Sequence, residues 1–312
     1  YIFKKKKINF IGIDNLKYSN KKNLIKKNFY KIDIASKKIA KLIKKRKINS
    51  IIHCAAFSYV NDGEKNKKKY YNNNIIKTEK FIRICKKNSI KNFIFLSSSN
   101  VYRDGKSIFN EGDIKKPKNV YGKNKLEIEN YLKKVKFNNF VILRLFNVVG
   151  LLKEFYIFKF KKNNCQRLFF KIIDRNNLPQ LRYYKLKEKV YFPKRDFIDI
   201  KDLIGLILKI LNKMEIKKIN KIFNVGNGKA ISIYSISQLF KKYNKQIKFS
   251  EPSLITKKEL ISTKADIKNV KAYFKWFPFR KIDYSVLTTI KYSKFWLYSQ
   301  IYFVVVICIL PY

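Results

Sequence analysis

Short apolar, β-branched runs alternate with longer helical patterns through the first half of the chain. Residues 8–13 read as a strand ending at Asp14, 50–54 as a second, 92–96 as a third running into Ser97, Ser98 and Ser99, and 140–145 as a fourth. Between them, 36–46, 70–87 and 121–134 read as helices, the first with Ile39, Ala40, Leu42 and Ile43 on one side. Strands separated by helices imply βαβ units, hence a parallel sheet covered by helices on both faces. Ligands in such folds sit beyond the carboxyl ends of the strands. Asp14, Ala55, Ala56, the serine run, Phe146 and Asn147 all fall there.

The second half is less regular. The stretch 151–194 has no clear alternation, a helix is expected over 201–212, and Ile222 to Val225 reads as a strand before a turn with Gly226 and Gly228. The expected division is 1–150, a smaller interleaved unit over 151–294, and an apolar tail over 295–312. The tail runs 18 residues without a charge, the lower edge of a membrane span, and Ser299 and Gln300 interrupt it. It reads as a membrane anchor, as a packed C-terminal strand, or as sequence past an ancestral end.

At 312 residues with 46% apolar side chains, the chain can bury a core, which excludes wholesale disorder. Its formal charge is +51, and the cations are 63 lysines and 9 arginines spread along the whole length. Nucleic-acid sites concentrate charge and favour arginine. The even spread reads as compositional drift on a solvated surface, with only loose, salt-sensitive binding to nucleic acid expected. Four scattered cysteines and a lone His53 exclude a Cys/His zinc cluster and a disulfide scaffold. They fit a reducing compartment, and no apolar leader stands at the start, so a cytoplasmic location is expected.

Tyr121 and Lys125 stand at i and i+4, on one face of the expected helix. An ammonium beside a phenol favours the phenolate, which can act as a general base on an alcohol. In a chain with 21 tyrosines and 63 lysines, such a pair is also met by accident. Its position gives it weight, one loop after the strand that ends at Ser98.

The ordered motifs around it resemble the extended short-chain dehydrogenase/reductases, the NAD-dependent epimerase/dehydratase superfamily, and most of all its 4-epimerase branch. They are Asp14-Asn15-Leu16, Ile32-Asp33-Ile34, His53-Cys54-Ala55-Ala56, Tyr71 to Asn74, Ser97-Ser98-Ser99-Asn100, Pro117 through Tyr121 to Lys125 with Glu129, Leu143-Arg144 to Gly150, Arg195 to Leu203, and Ala265-Asp266 to Trp276. The resemblance implies a Rossmann-like doubly wound sheet, NAD as cofactor, a nucleotide sugar (a UDP-hexose) as substrate, and a homodimer. It implies Ser98, Tyr121 and Lys125 as catalytic residues. Asp14, Asn15, Leu16, Asp33, Ile34, Cys54, Ala55, Ala56, Asn73 and Phe146 would line the cofactor, with Tyr121 and Lys125. Asn147 and Arg195 would hold substrate, with Ser98 and Tyr121.

Each assignment has a plainer reading. Asp14 would merely open a turn, Asn147 be a structural amide, and Arg195 pair with Asp196 or Asp199. Within the superfamily, dehydratases follow the catalytic Ser/Thr with an Asp-Glu pair, whereas Ser99 and Asn100 stand here. That favours epimerisation, which needs no carboxylate shuttle. Three departures stand beside the resemblance. The Gly-rich phosphate loop and first strand are not in the chain, Ser58 stands where the epimerases carry a lysine, and no Arg-x-x-Asp pair precedes Asp266. Other readings are a nucleotide-sugar reductase or decarboxylase, or a non-catalytic scaffold for polyanions or a protein partner. Asp14 favours NAD over NADP, because a 2′-phosphate there would meet a second negative charge.

Overall fold

The computed structural model describes residues 3, 7–17, 28–152, 168–173, 179–187, 189–244, 248, 250–254, 262–293 and 306–309. In chain order its strands are β1 (Phe10–Asp14), β2 (Phe29–Lys31), β3 (Ser50–His53), β4 (Asn92–Ser98), β5 (Ile108–Phe109), β6 (Asn139–Leu145), β7 (Asn147–Val149), β8 (Gln180–Leu186), β9 (Lys189–Tyr191), β10 (Lys194–Asp199), β11 (Asn220–Val225), β12 (Ala230–Ser232), β13 (Ser250–Leu254), β14 (Ser262–Ala265) and β15 (Val306–Ile309). The main sheet has the order β11-β6-β4-β3-β15-β1-β2. Six of its strands run parallel, as the alternation predicts.

The seventh is the exception. β15 comes from the apolar tail and lies antiparallel between β1 and β3, with Val306 opposite Ile13 and His53, and Ile309 opposite Phe10 and Ser50. The tail therefore supplies a central strand. Among the described residues no helix is long and apolar enough to cross a membrane.

The near-continuous apolar runs follow from burial on both faces. Along β4, Phe93 and Phe95 join one core cluster and Ile94 the other, the period-two alternation of a strand. The first cluster also takes Ile39, Leu42 and Ile43, the 3/4-spaced stripe of the helix Lys38–Arg46. The second takes Leu203, Leu206 and Ile210 of the helix Ile200–Ile216.

The helix expected over 70–87 is broken. A helix Lys67–Tyr71 passes into a π-helical turn Asn72–Ile76 and then a helix Lys77–Lys87. The wider turn presents Asn74 to the chain leaving β3, where its side chain accepts from the Phe57 amide at 2.8 Å and donates to the Phe57 carbonyl at 2.9 Å.

After β6 the chain turns at Phe146 and leaves the main sheet. β7 pairs with β10 in a second sheet of order β12-β10-β14-β5, and a third sheet has the order β13-β8-β9. This exit at the carboxyl edge of β6 puts Asn147 beside Phe197 of β10.

Candidate active site

Ser98 ends β4 and is nearly buried at 7% exposure. Its hydroxyl oxygen accepts from the Asn100 backbone N–H at 3.2 Å and from the Asn100 side chain at 3.3 Å. Both bonds are accepted, so the hydroxyl hydrogen is left to donate to a ligand oxygen.

The helix Val120–Lys134 begins beside it. Asn119 caps it, accepting from the Gly122 N–H at 2.8 Å. A Cβ at position 122 would run into the Asn100 carbonyl, so only glycine lets this first turn lie so close to the end of β4. The close packing sets the first turn of this helix, which carries Tyr121, against the residues that follow β4.

On the sheet-facing side of this helix stand two ionisable residues, Lys125 at 4% exposure and Glu129 at 0%. The Lys125 Nζ donates to the Leu96 carbonyl at 2.6 Å and lies 4.6 Å from the Phe95 ring centre and 5.8 Å from that of Tyr121. Burial pulls its pKa down to about 8. Cys54, at the end of β3, is electrostatically coupled to it, and burial pushes that thiol up to about 12. His53 stacks on Phe81 and Phe95, and burial, with the Lys125 charge, pulls its pKa to about 3. His53 is thus a neutral packing residue at the strand end, as its apolar run suggests.

Glu129 anchors a buried network. Its carboxylate accepts from Arg144 of β6 at 2.7, 3.0 and 3.2 Å and from the Ser97 hydroxyl at 2.6 Å. Arg144 also donates to the Tyr102 hydroxyl and the Glu111 carbonyl, both at 3.0 Å, and Tyr102 donates to Asn224 at 2.6 Å. The network ties the helix to β4, β6 and β11, and it holds the strand end at which Ser98 sits.

At the edge of β1 to β3, a small cavity is lined by Asn15, Asp33, Ile34, Ala55, Asn73 and Lys77. Asp33 accepts from Lys77 at 2.5 Å and from Asn15 at 3.1 Å. Burial would raise its pKa, but these bonds and the Ala35 N–H carry it below the ordinary carboxylate value. Asp14 is buried, and its carboxylate accepts from the Leu16 N–H at 2.8 Å, while Leu16 takes a left-handed φ of 57°. The plainer reading of Asp14, a turn opener, is therefore present in the structure. Ala56 is buried next to Ala55, and Phe146 is buried beyond β6.

A larger cavity of about 240 Å³ opens between the second and third sheets, lined by Asn147 and Arg195 among others. The Asn147 side chain donates to the Asp196 carbonyl at 2.8 Å, and Arg195 donates to the Lys194 carbonyl at 2.9 Å. Asp196 accepts from the backbone N–H groups of Asn227, Gly228 and Ala265, and Asp199 from Lys201 and Ser285.

The expected residues thus gather in three places: the β4 edge, the β1 to β3 edge, and the cavity between the smaller sheets. Sequence reasoning passes over Asn74, Lys77, Gln180 and Arg182. Asn74 is adjacent to Asn73 in the same motif and is distinguished only by its burial. Lys77 is one lysine among 63.

A parallel sheet with its polar side chains gathered at the strands' carboxyl ends defines a nucleotide-binding α/β protein of the Rossmann type. Residues 2–226 match the profile of the NAD dependent epimerase/dehydratase family, and the chain belongs to that family. It is 30% identical over 263 residues to a UDP-glucose 4-epimerase of Haemophilus influenzae, covering 75% of each chain. It is 29% identical over 243 residues to the bifunctional protein gal10 of Schizosaccharomyces pombe, covering 69% of this chain and 32% of that one. In fold it is similar to a UDP-glucose 4-epimerase of Stenotrophomonas maltophila solved with bound NAD and formylated UDP-arabinopyranose, with a TM-score of 0.80, 18% identity and coverage of 90% and 89%. It is likewise similar to that of Brucella ovis in complex with NAD, with a TM-score of 0.79, 22% identity and coverage of 88% of each.

Proposed function

We propose that the chain is an NAD-dependent nucleotide-sugar 4-epimerase of the UDP-glucose/UDP-galactose type. The observation that carries the reading is the approach of the Tyr121 turn to the end of β4, enforced by Gly122 against Asn100, in a chain of this family.

The residues at the β1 to β3 edge fit the adenosine half of NAD. Asp33 is a partly exposed carboxylate flanked by an amide donor, and it lines a small cavity together with Ile34, Ala55 and Asn73. Asp14, Asn15, Leu16, Ile34 and Asn73 complete that wall, with Cys54 and Phe146 towards the β4 edge. When bound, NAD supplies the acceptor and donor of the hydride at C4 of the sugar.

In this reading Ser98 donates its hydroxyl hydrogen to the sugar 4-oxygen and fixes its position. Tyr121 takes the 4-hydroxyl proton as general base and gives it back when the 4-keto group is reduced. Lys125 keeps a positive charge beside the phenol, which favours the phenolate. Asn147 and Arg195 hold the nucleotide sugar in the larger cavity, the arginine by its bidentate fork on phosphate. Ser99 and Asn100 provide no carboxylate to expel water, which favours epimerisation over dehydration. We read the assembly as a homodimer that pairs through the faces carrying Tyr71 and Ile76, apolar side chains 48% and 42% exposed.

The test is Tyr121→Phe, assayed for interconversion of UDP-glucose and UDP-galactose with NAD present. Turnover should fall by about 10²–10⁴, the worth of a positioned general base, with thermal unfolding unchanged. Undiminished turnover in the variant would remove Tyr121 from the mechanism.

A further inference from the structure

The turn that carries Tyr121 is held from two sides. A helix leaves its first backbone N–H groups without partners inside the helix. In the helix Val120–Lys134, Asn119 takes the Gly122 N–H from the preceding loop. The Val120 N–H is taken from another element: the Glu64 carboxylate, on the short helix Val60–Lys65, accepts it at 2.7 Å. The first turn has no acid of its own, so Glu64 also supplies the negative charge that the positive end of a helix favours. A helix of 6 residues is not stable alone, and this one is fixed by the buried Tyr70. The Tyr70 hydroxyl donates to the Tyr59 carbonyl at 2.8 Å, its ring centre lies 5.3 Å from that of Phe57, and a Cβ on Gly63 would meet the ring at 3.1 Å. The Asn74 side chain clamps Phe57 in turn. Glu64 is therefore an exposed side chain on a rigid mount.

We propose that Glu64 is a positioning residue: by holding the Val120 N–H it fixes the first helical turn, and with it the Tyr121 phenol, against the end of β4. The assignment rests on the nucleotide-sugar reading above and deepens it. Helix ends open first. Tyr121 is the second residue of its helix, within the turn that opens, and the bond to Glu64 pins the residue before it. A general base works only within hydrogen-bond reach of the proton it takes, and a misplacement of about 1 Å can cost about a hundredfold in rate. Glu64 lines neither cavity, so its loss should slow the proton transfer and leave binding of cofactor and sugar as it was.

The experiment compares the full chain with its Glu64→Ala, Glu64→Gln and Glu64→Asp variants. Two quantities are read: interconversion of UDP-glucose and UDP-galactose with NAD, and amide hydrogen exchange at residues 120–122 without substrate. Glu64→Ala should lower kcat about tenfold while KM for UDP-glucose stays within about twofold, and exchange in the turn should quicken. Glu64→Gln keeps an oxygen at the same reach and should recover most of both. Glu64→Asp keeps the charge, falls one methylene short, and should behave as Glu64→Ala does. A Glu64→Ala variant with wild-type kcat, or with KM raised and kcat unchanged, overturns the role of Glu64 and leaves the nucleotide-sugar reading standing. Activity kept by Glu64→Asp and lost by Glu64→Gln overturns it too, since charge and not position would then matter. A wild-type chain that binds NAD and interconverts neither sugar overturns that reading and this proposal with it.

Discussion

Removing the Glu129 side chain would strand the charge of Arg144 in the core. Both residues are essentially buried, at 0% exposure each, and the carboxylate takes three Arg144 contacts within 3.2 Å as well as the Ser97 hydroxyl. Breaking a buried pair from one side costs about 3–5 kcal/mol, because the remaining ion keeps its desolvation penalty without its partner. A native stability of about 5–15 kcal/mol would lose about a fifth or more. With a urea slope of about 3 kcal/mol per M, the Glu129→Ala midpoint should fall by about 1–1.7 M. Replacing both partners, Glu129→Leu with Arg144→Met, should recover most of the loss, since no ion is left to solvate. The Tyr102 hydroxyl would still keep its bond to Asn224, while the Ser97 hydroxyl and the Glu111 carbonyl would go short, at a cost of about 1 kcal/mol each. Urea titrations followed by circular dichroism on the three proteins measure this. A Glu129→Ala loss below about 1 kcal/mol, or a double variant no more stable than the single one, would refute the reasoning.

Two further outcomes follow from the same structure. Burial lowers the folded-state pKa of Lys125 to about 8 from 10.5, so between these values the unfolded chain holds a proton that the folded one has released. Stability should therefore rise across that window, and the rise should be absent from Lys125→Met in urea titrations at both ends of it. If the ammonium supports Tyr121, epimerase turnover should instead decline above about pH 8, and a rate flat to pH 10 would dissociate Lys125 from the chemistry. A chain ending at residue 303 lacks β15 and so loses four register pairs on each side, with β1 and with β3. The unpaired backbone at the centre of a sheet should cost at least about 5 kcal/mol. An unfolding midpoint equal to that of the full chain would show that β15 contributes nothing.

The parallel sheet is legible because strands buried on both faces need continuous apolar runs, and 51–52, 93–96 and 140–143 supply them. Boundaries at the site are less so. β4 continues through Ser97 and Ser98, polar residues that its neighbour β6 pairs with Arg144 and Leu145, and only that tertiary pairing extends it. The π-turn at Asn72–Ile76 has no pattern of its own, since its purpose is one contact between Asn74 and Phe57. Ser98, Tyr121 and Lys125 can be singled out by spacing and resemblance, but their roles rest on the proposed mechanism. Arg182 lies in a stretch with no regular period, and only the pairing of the third sheet brings it to the cavity that Arg195 also lines.

The lysine excess shows why burial rather than residue type separates function from background. With 63 lysines, sequence position alone gives Lys125 one signal, its spacing from Tyr121. The fold adds a second. Lys125 lies against the sheet, bonded to the Leu96 carbonyl one turn before the buried Glu129. Burying an ammonium is costly unless something repays it. The same helix face buries an acid with a full set of partners in Glu129, and a base that donates to a backbone carbonyl in Lys125. The first is repaid within the protein. The second retains donors for a ligand, and its place beside Tyr121 at the end of β4 is where an α/β sheet of this kind receives one.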